Sequence, residues 1–150
     1  YVRYPLRRGD TMIYMIKETL MGIELLQDDT LCFVKDIKAI SFINEWCVMN
    51  GSTYEGRRKA CAMRLQIHQK VPILISERTK DMMFPTRKVT TMECLWFNAR
   101  GIDTIKRNGK HTIIYFLNGE QVEVAVEYRA IKREITLCSQ YLEILDSFSR

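Results

Sequence analysis

The sequence predicts an α+β fold: an antiparallel sheet or β-meander, two short central helices and a C-terminal amphipathic helix. Three observations support this prediction. Asn-Gly pairs separate β-type runs in the second half of the chain, apolar residues recur at helical spacing from Ile37 to Cys47, and that spacing returns from Tyr128 to Asp146. A length of 150 residues fits a single domain. Residues 1–10 show neither period, and we expect them to form a loose arm.

Strand signals come first along the chain. Thr11–Lys17 and Thr30–Lys35 are rich in β-branched and aromatic residues, and the second run follows an Asp28-Asp29 turn signal. The period becomes helical from Ile37, where Asp36 is placed to cap the helix start. Asn50-Gly51 supplies a left-handed stop. We therefore predict two strands followed by a first helix.

The second helix is predicted to begin at Ser52. Glu55 lies three residues further on, which is the spacing of a capping box, and the helix should continue to about Leu65. Gly56 in its first turn costs about 1 kcal/mol relative to alanine. Two helices joined by a glycine-containing turn also resemble a helix-turn-helix, a pattern that any helical hairpin with a short loop shares.

Short strands and a final helix complete the prediction. Pro72 and Pro85 confine the strands near them to edges or ends. Asn108-Gly109 and Asn118-Gly119 favour type I′ turns. The predicted strands are Val71–Ser76, Met82–Phe84, Cys94–Phe97, Ile102–Arg107, His111–Leu117 and Gln121–Val126.

The C-terminal helix carries two apolar stripes. One stripe can cover the sheet, while the other either meets a second subunit or is buried within the monomer. The first consists of Ile131, Ile135, Cys138, Leu142 and Leu145, and the second of Leu137, Tyr141, Ile144 and Phe148.

Positive charge is concentrated in the middle of the chain. The net charge is +5, yet residues 51–110 alone hold 13 basic and 5 acidic side chains. A polyanion-binding surface produces this pattern, because Lys and Arg that neutralise phosphates release condensed counterions. A solvated basic face without a partner would produce it too.

The residues give little support for an enzyme, and we predict no catalytic, metal or cofactor residues. His68 and His111 lie at no metal-ligand spacing from Cys, Asp or Glu. Motifs of phosphate-binding loops, dinucleotide-binding turns and nucleophile elbows are absent. No apolar run is long enough to span a bilayer, and the five cysteines form no Cys-x-x-Cys pair. We expect a cytoplasmic protein with reduced thiols.

The segment Gly51–Ala60 combines features that phosphate binding requires. A helix N-terminus offers amides, Ser52 and Thr53 offer hydroxyls, and three consecutive cations follow. A capped helix with a basic exposed face explains the same residues without a ligand.

Residues 47–86 resemble the ComK family, the competence transcription factors of Gram-positive bacteria. The likeness extends from about Ile37 to Tyr128, and Val71 departs from it where the family usually has a proline. The matching residues are Cys47, Gly51-Ser52-Thr53-Tyr54, Gly56-Arg57-Arg58, Lys70, Pro72-Ile73-Leu74-Ile75, Phe84-Pro85-Thr86 and Trp96.

The resemblance implies a DNA-binding transcription regulator, similar to a competence activator, that recognises paired A/T tracts mainly through the minor groove. It implies a homodimer or higher homo-oligomer, with RNA polymerase and an adaptor of a Clp-type protease as further partners. A-tracts narrow the minor groove and concentrate negative potential there, which attracts inserted cations. The candidate DNA-binding residues are Ser52, Tyr54, Arg57, Arg58, Lys59, His68, Lys70, Arg87 and Lys88.

We expect these cations to converge on a single ridge. Two other interpretations remain open. The chain could be a basic, non-catalytic protein-interaction module, such as a diverged paralogue that modulates a regulator without binding DNA. Alternatively, a helix-turn-helix could insert residues 53–64 into the major groove.

Overall fold

A computed structural model describes residues 11–28, 30–87 and 94–148, so the predicted arm and Lys88 lie outside the described residues. The α+β prediction is confirmed. In chain order the elements are β1 (Ile13–Thr19), β2 (Gly22–Gln27), β3 (Thr30–Lys35), α1 (Ala39–Met49), α2 (Tyr54–Leu65), β4 (Ile73–Leu74), β5 (Met82–Pro85), β6 (Leu95–Asn98), a short 3₁₀ helix (Ala99–Gly101), β7 (Ile102–Asn108), β8 (His111–Phe116), β9 (Gln121–Val124) and α3 (Tyr128–Phe148).

The strands form two antiparallel sheets. A six-stranded sheet has the order β3-β2-β1-β6-β5-β4, and a three-stranded sheet has the order β7-β8-β9. The predicted meander included Cys94–Phe97, but this run forms β6 in the larger sheet, where Trp96 faces Ile16 of β1 and Phe97 faces Phe84 of β5. The sequence prediction also missed β2. The pairing of β6 with the distant β1 leaves no local signal, because such a strand reads alike in either sheet. β2, in contrast, pairs with its sequence neighbours β1 and β3.

The turn between β7 and β8 is shifted by one residue from its prediction. Asn108 and His111 face each other in the register, so Gly109 and Lys110 are its central residues. Gly109 has a φ of +62°, whereas Lys110 is not in the left-handed region. The predicted Asn-Gly type I′ turn is therefore wrong at this position, and glycine alone supplies the positive φ.

The N-terminus of helix α1 is capped by a side chain from strand β1. The prediction that Asp36 caps this helix is wrong, because Lys38 occupies the N-cap position and its side chain makes no capping hydrogen bond. Instead, Glu18 of β1 accepts a hydrogen bond of 2.8 Å from the amide of Ala39. The carboxylate thus satisfies one of the orphan donors that every helix start leaves. The predicted stop is confirmed, since α1 ends at Asn50 and Gly51 has a φ of +86°.

Two apolar cores lie within the fold, and α2 contributes to both. The first packs α1 against the larger sheet, with Phe42 and Trp96 among its largest buried side chains. The second joins the larger sheet to α3 and the smaller sheet, where Phe97 and Phe116 stack at 6.0 Å. Tyr54 at the start of α2 belongs to the first core, and Cys61 belongs to the second. These two contacts fix the orientation of α2.

α3 buries its first apolar stripe as predicted. All five of its residues lie in or against the second core, and Tyr141 from the second stripe joins them. Leu137 and Ile144 are half-buried, and Phe148 is exposed. Whether this remainder meets a second subunit stays a prediction. No helix within the described ranges is long and apolar enough to cross a membrane.

Candidate nucleic-acid interface

The N-terminus of α2 is capped by the protein itself. Thr53, and not the predicted Ser52, is the cap residue, because its Oγ1 accepts a hydrogen bond of 3.0 Å from the amide of Gly56. The amide of Tyr54 donates to Oδ1 of Asn44 on α1 at 2.9 Å. Two of the amides expected to bind phosphate are therefore already used, which removes much of the support for an anion site at this helix end.

Tyr54 is a packing residue at the base of the helix. Its ring meets Trp96 edge-on at 6.4 Å, and burial raises the pKa of its hydroxyl. It also lines an open groove of ≈ 640 Å³ between α1 and α2, together with Asn44, Glu45 and Arg58. Tyr54 thus couples the orientation of α2 to the first core.

Arg57 is turned towards the body of the protein. Its side chain is 18% exposed, and Nη1 lies 3.7 Å from Oε1 of Glu77 in the turn between β4 and β5. Its Nε is buried without a hydrogen-bond partner. Glu77 compensates part of the charge, so Arg57 is less available to DNA than its neighbours.

Arg58 and Lys59 take different directions from Arg57, because successive helical residues are rotated by about 100°. Nη2 of Arg58 donates to the backbone carbonyl of His68 at 3.0 Å. Lys59 is exposed beside it, in a second open groove whose wall also includes His68. The three consecutive cations therefore do not form the single ridge that we expected.

The exposed residues of α2 are Glu55, Gly56, Lys59, Ala60, Met63 and Arg64. We call the last five of these the α2 outer face; Glu55 borders it and lines the same groove as Lys59. All five are exposed, and Met63 is 70% exposed. The guanidinium carbon of Arg64 lies 4.6 Å from the ring centre of Phe148, an arrangement typical of a cation-π contact. Arg64 was missed among the candidate residues, although its place two helical turns after Arg57 could have indicated it.

The remaining candidates lie away from this face. Lys70, with a φ of +49°, is half-buried and close enough to Glu134 of α3 for its charge to oppose part of the rise that burial causes in the pKa of that carboxyl group. Arg87 donates from Nη2 to the carbonyl of Ala125 at 2.9 Å, at the end of the smaller sheet. Lys88 lies outside the described residues.

Other chemistry finds little support in the part of the chain that the structure describes. No cluster of three metal-ligating side chains occurs there. The five cysteines are free, and four are buried. Burial raises the pKa of Cys47 to about 11 and that of Cys61 to about 12, so both are protonated at neutral pH.

Comparison with known proteins gives two matches of different kinds. The family described as "ComK protein" matches residues 4–148, a longer stretch than the resemblance read from the motifs. The competence transcription factor of Bacillus subtilis (strain 168) is 23% identical over 113 residues, which are 75% of this chain and 58% of that protein. The chain thus matches little more than half the length of this relative. No solved structure matches significantly. Because the family match spans nearly all of its residues, the chain belongs to the ComK family.

Proposed function

We propose that this chain is a sequence-selective DNA-binding transcription regulator and that the α2 outer face contacts DNA. The observation that carries the proposal is the exposure of Lys59 and Arg64 on a firmly held helix. Within the described ranges, neither forms an ion pair with a carboxylate. Two small residues near them, Gly56 and Ala60, let the helix backbone approach a partner closely.

The charges on α2 differ in their availability. Arg57 has Glu77 as a partner, whereas Arg58 bonds a neutral carbonyl and keeps its charge uncompensated. Rearrangement of one hydrogen bond would free Arg58 for a phosphate. We therefore assign DNA contacts to Lys59, Arg64 and Arg58, with Arg57 as a residue that fixes the helix to the β4–β5 turn.

We propose that the preferred site is a pair of A/T tracts read largely through the minor groove. A minor groove about 6 Å wide admits side chains but excludes a helix, so α2 would lie across the backbone and extend its cations inward. The two-helix arrangement of α1 and α2 favours a second possibility, insertion of the α2 outer face into the major groove. That groove, about 12 Å wide, admits a helix.

The salt dependence of DNA affinity tests the proposal. If about six phosphates are neutralised, the logarithm of the binding constant should fall with the logarithm of salt concentration at a slope near −5. Lys59→Ala combined with Arg64→Ala should flatten that slope by about two, while Arg57→Ala should change it less. Lys110→Ala, an exposed cation in the β7–β8 turn, is the matched control and should leave the slope unchanged.

Two outcomes would overturn the assignment. An equal effect of Lys110→Ala would mean that charge acts without a localised site. Absence of any salt-dependent binding would favour the protein-interaction module instead.

The groove is distinguished by two chemical perturbations of the DNA. A minor-groove drug should displace the protein from A/T-tract DNA, and 7-deazapurine substitution, which edits the major-groove edge, should leave binding unchanged. The opposite pair of results would establish insertion into the major groove and contradict the minor-groove assignment.

Paired tracts imply more than one copy of the chain on the DNA, because each tract requires its own α2 outer face. We extend the proposal accordingly to self-association. By family resemblance we extend it to contacts with RNA polymerase and with an adaptor of a Clp-type protease.

A further inference from the structure

β3 is the less protected edge of the six-stranded sheet. It pairs with β2 alone among the described strands, and it is six residues long. The opposite edge, β4, has two buried residues and packs against α2. Natural edge strands are usually short, covered, or interrupted by proline and charge. β3 has no proline, and Lys35 at its end is its single charge.

The side chains of β3 make this edge apolar on both faces. Leu31 is 61% exposed and Phe33 is 54% exposed, and both lie on the face that α1 does not cover. Their neighbours across β2 are Leu26 and Glu24. On the opposite face, Cys32 is half-buried, whereas the other four cysteines are buried.

We propose that β3 pairs antiparallel with β3 of a second copy of this chain, with Cys32 opposite Cys32 of that copy. Opposed residues of antiparallel strands lie on the same face, and each strand then supplies the pairing groups that the other lacks. In this register Leu31 faces Phe33 of the second copy, and the two-fold axis repeats the pair. Leu31 and Phe33 of both copies then form one continuous apolar surface.

Charge selects this register over its neighbour. Pairing centred on Phe33 keeps the faces matched, but it places Lys35 opposite Leu31 of the other copy, within the apolar centre. The register centred on Cys32 leaves Lys35 outside that centre. Because the contact runs along a single strand, we expect a dimer that dissociates on dilution.

This inference rests on the self-association part of the proposed function, and it is tested without DNA. The wild-type chain should pass from monomer to dimer across the micromolar range in analytical ultracentrifugation. Phe33→Lys and, independently, Leu31→Lys should raise the dissociation constant at least tenfold. Val48→Lys, at a 50% exposed position on α1, is the matched control and should leave the constant unchanged. Thermal melts establish that each variant is folded.

Cross-linking then tests the register. Opposed Cα atoms lie about 4.5–5.5 Å apart, within the range that a disulfide requires. With diamide as oxidant, the two Cys32 thiols should form one disulfide and transfer two electrons and two protons to diamide. Cys32→Ser should abolish the cross-link and keep the dimer.

Three results would overturn the proposal: a wild-type chain that stays monomeric, a dimer that resists both lysine substitutions, or a sensitive dimer in which Cys32 does not cross-link. The first would indicate that another protein covers β3. A monomer that still binds A/T-tract DNA would refute this interface and leave the DNA-binding proposal intact.

Discussion

Glu134 of α3 should destabilise the protein at neutral and alkaline pH. Its side chain is 2% exposed, and neither carboxylate oxygen has a hydrogen-bond partner. Nη1 of Arg133 lies 3.8 Å from Oε1, too far to donate a hydrogen bond. Burial raises the pKa of Glu134 from 4.5 to about 7, although the charges of Lys70 and Arg133 oppose the rise. Cys61 and Cys138 are its other titratable neighbours.

The sign of the effect follows from proton binding. Between pH 4.5 and 7 the folded protein holds a proton on Glu134 that the unfolded chain has lost, so the free energy of unfolding falls as pH rises. Above pH 7 the full penalty applies. A rise of about 2.5 units corresponds to about 3 kcal/mol at 1.36 kcal/mol per unit.

Glu134→Gln removes the titration while keeping the shape of the side chain. We expect the difference in unfolding free energy between variant and wild type to grow in favour of the variant by about 2.5 kcal/mol from pH 5 to pH 8. Urea denaturation at both pH values measures it. Glu143→Gln, at an exposed position on the same helix, is the control and should show no such trend. A Glu134→Gln difference that is constant with pH would refute the reasoning.

Two further predictions concern hydrogen bonds. Thr53→Ala should lower the free energy of unfolding by about 1 kcal/mol, because it removes the cap of α2. Ser52→Ala should change the same free energy by less than about 0.5 kcal/mol. Equal losses for the two variants in urea denaturation would contradict the cap assignment. Asn98 is fully buried, and its Nδ2 donates to Oδ1 of Asp81 at 2.8 Å and to the carbonyl of Ile13 at 3.0 Å. Asn98→Ala should cost about 2–3 kcal/mol, measured in the same way, and a loss no larger than that of the exposed Asn108→Ala would count against this network.

Local periodicity was sufficient to predict the helices and most strands. α1 and α3 lie close to their predicted ranges, because three- and four-residue apolar spacing describes a buried face directly. The end of α1 was predicted from Asn50-Gly51, which is also a local signal.

Features that depend on distant contacts could not be predicted in this way. The cap of α1 comes from Glu18, 21 residues earlier, and β6 lies between β5 and the distant β1, the first strand of the chain. Both depend on which surfaces meet after folding. No window of neighbouring residues contains that information.

The candidate site shows the same division. The sequence located the cation cluster on a helix, but the direction of each cation depends on its partner. Glu77 draws Arg57 inward, and the carbonyl of His68 holds Arg58. Helical phase alone could have separated Arg57 from Lys59, since Arg57 lies on the side of α2 that includes the buried Tyr54 and Cys61.

Methionine oxidation gives the most direct test of DNA contact by the α2 outer face. Met63 lies on that face, and Met21, which is 62% exposed in the turn between β1 and β2, serves as an internal reference. Hydroxyl-radical footprinting with mass spectrometry should show Met63 protected when paired A/T-tract DNA is bound, while Met21 is oxidised at an unchanged rate. Oxidation of Met63 at the same rate in free and DNA-bound protein would contradict the account.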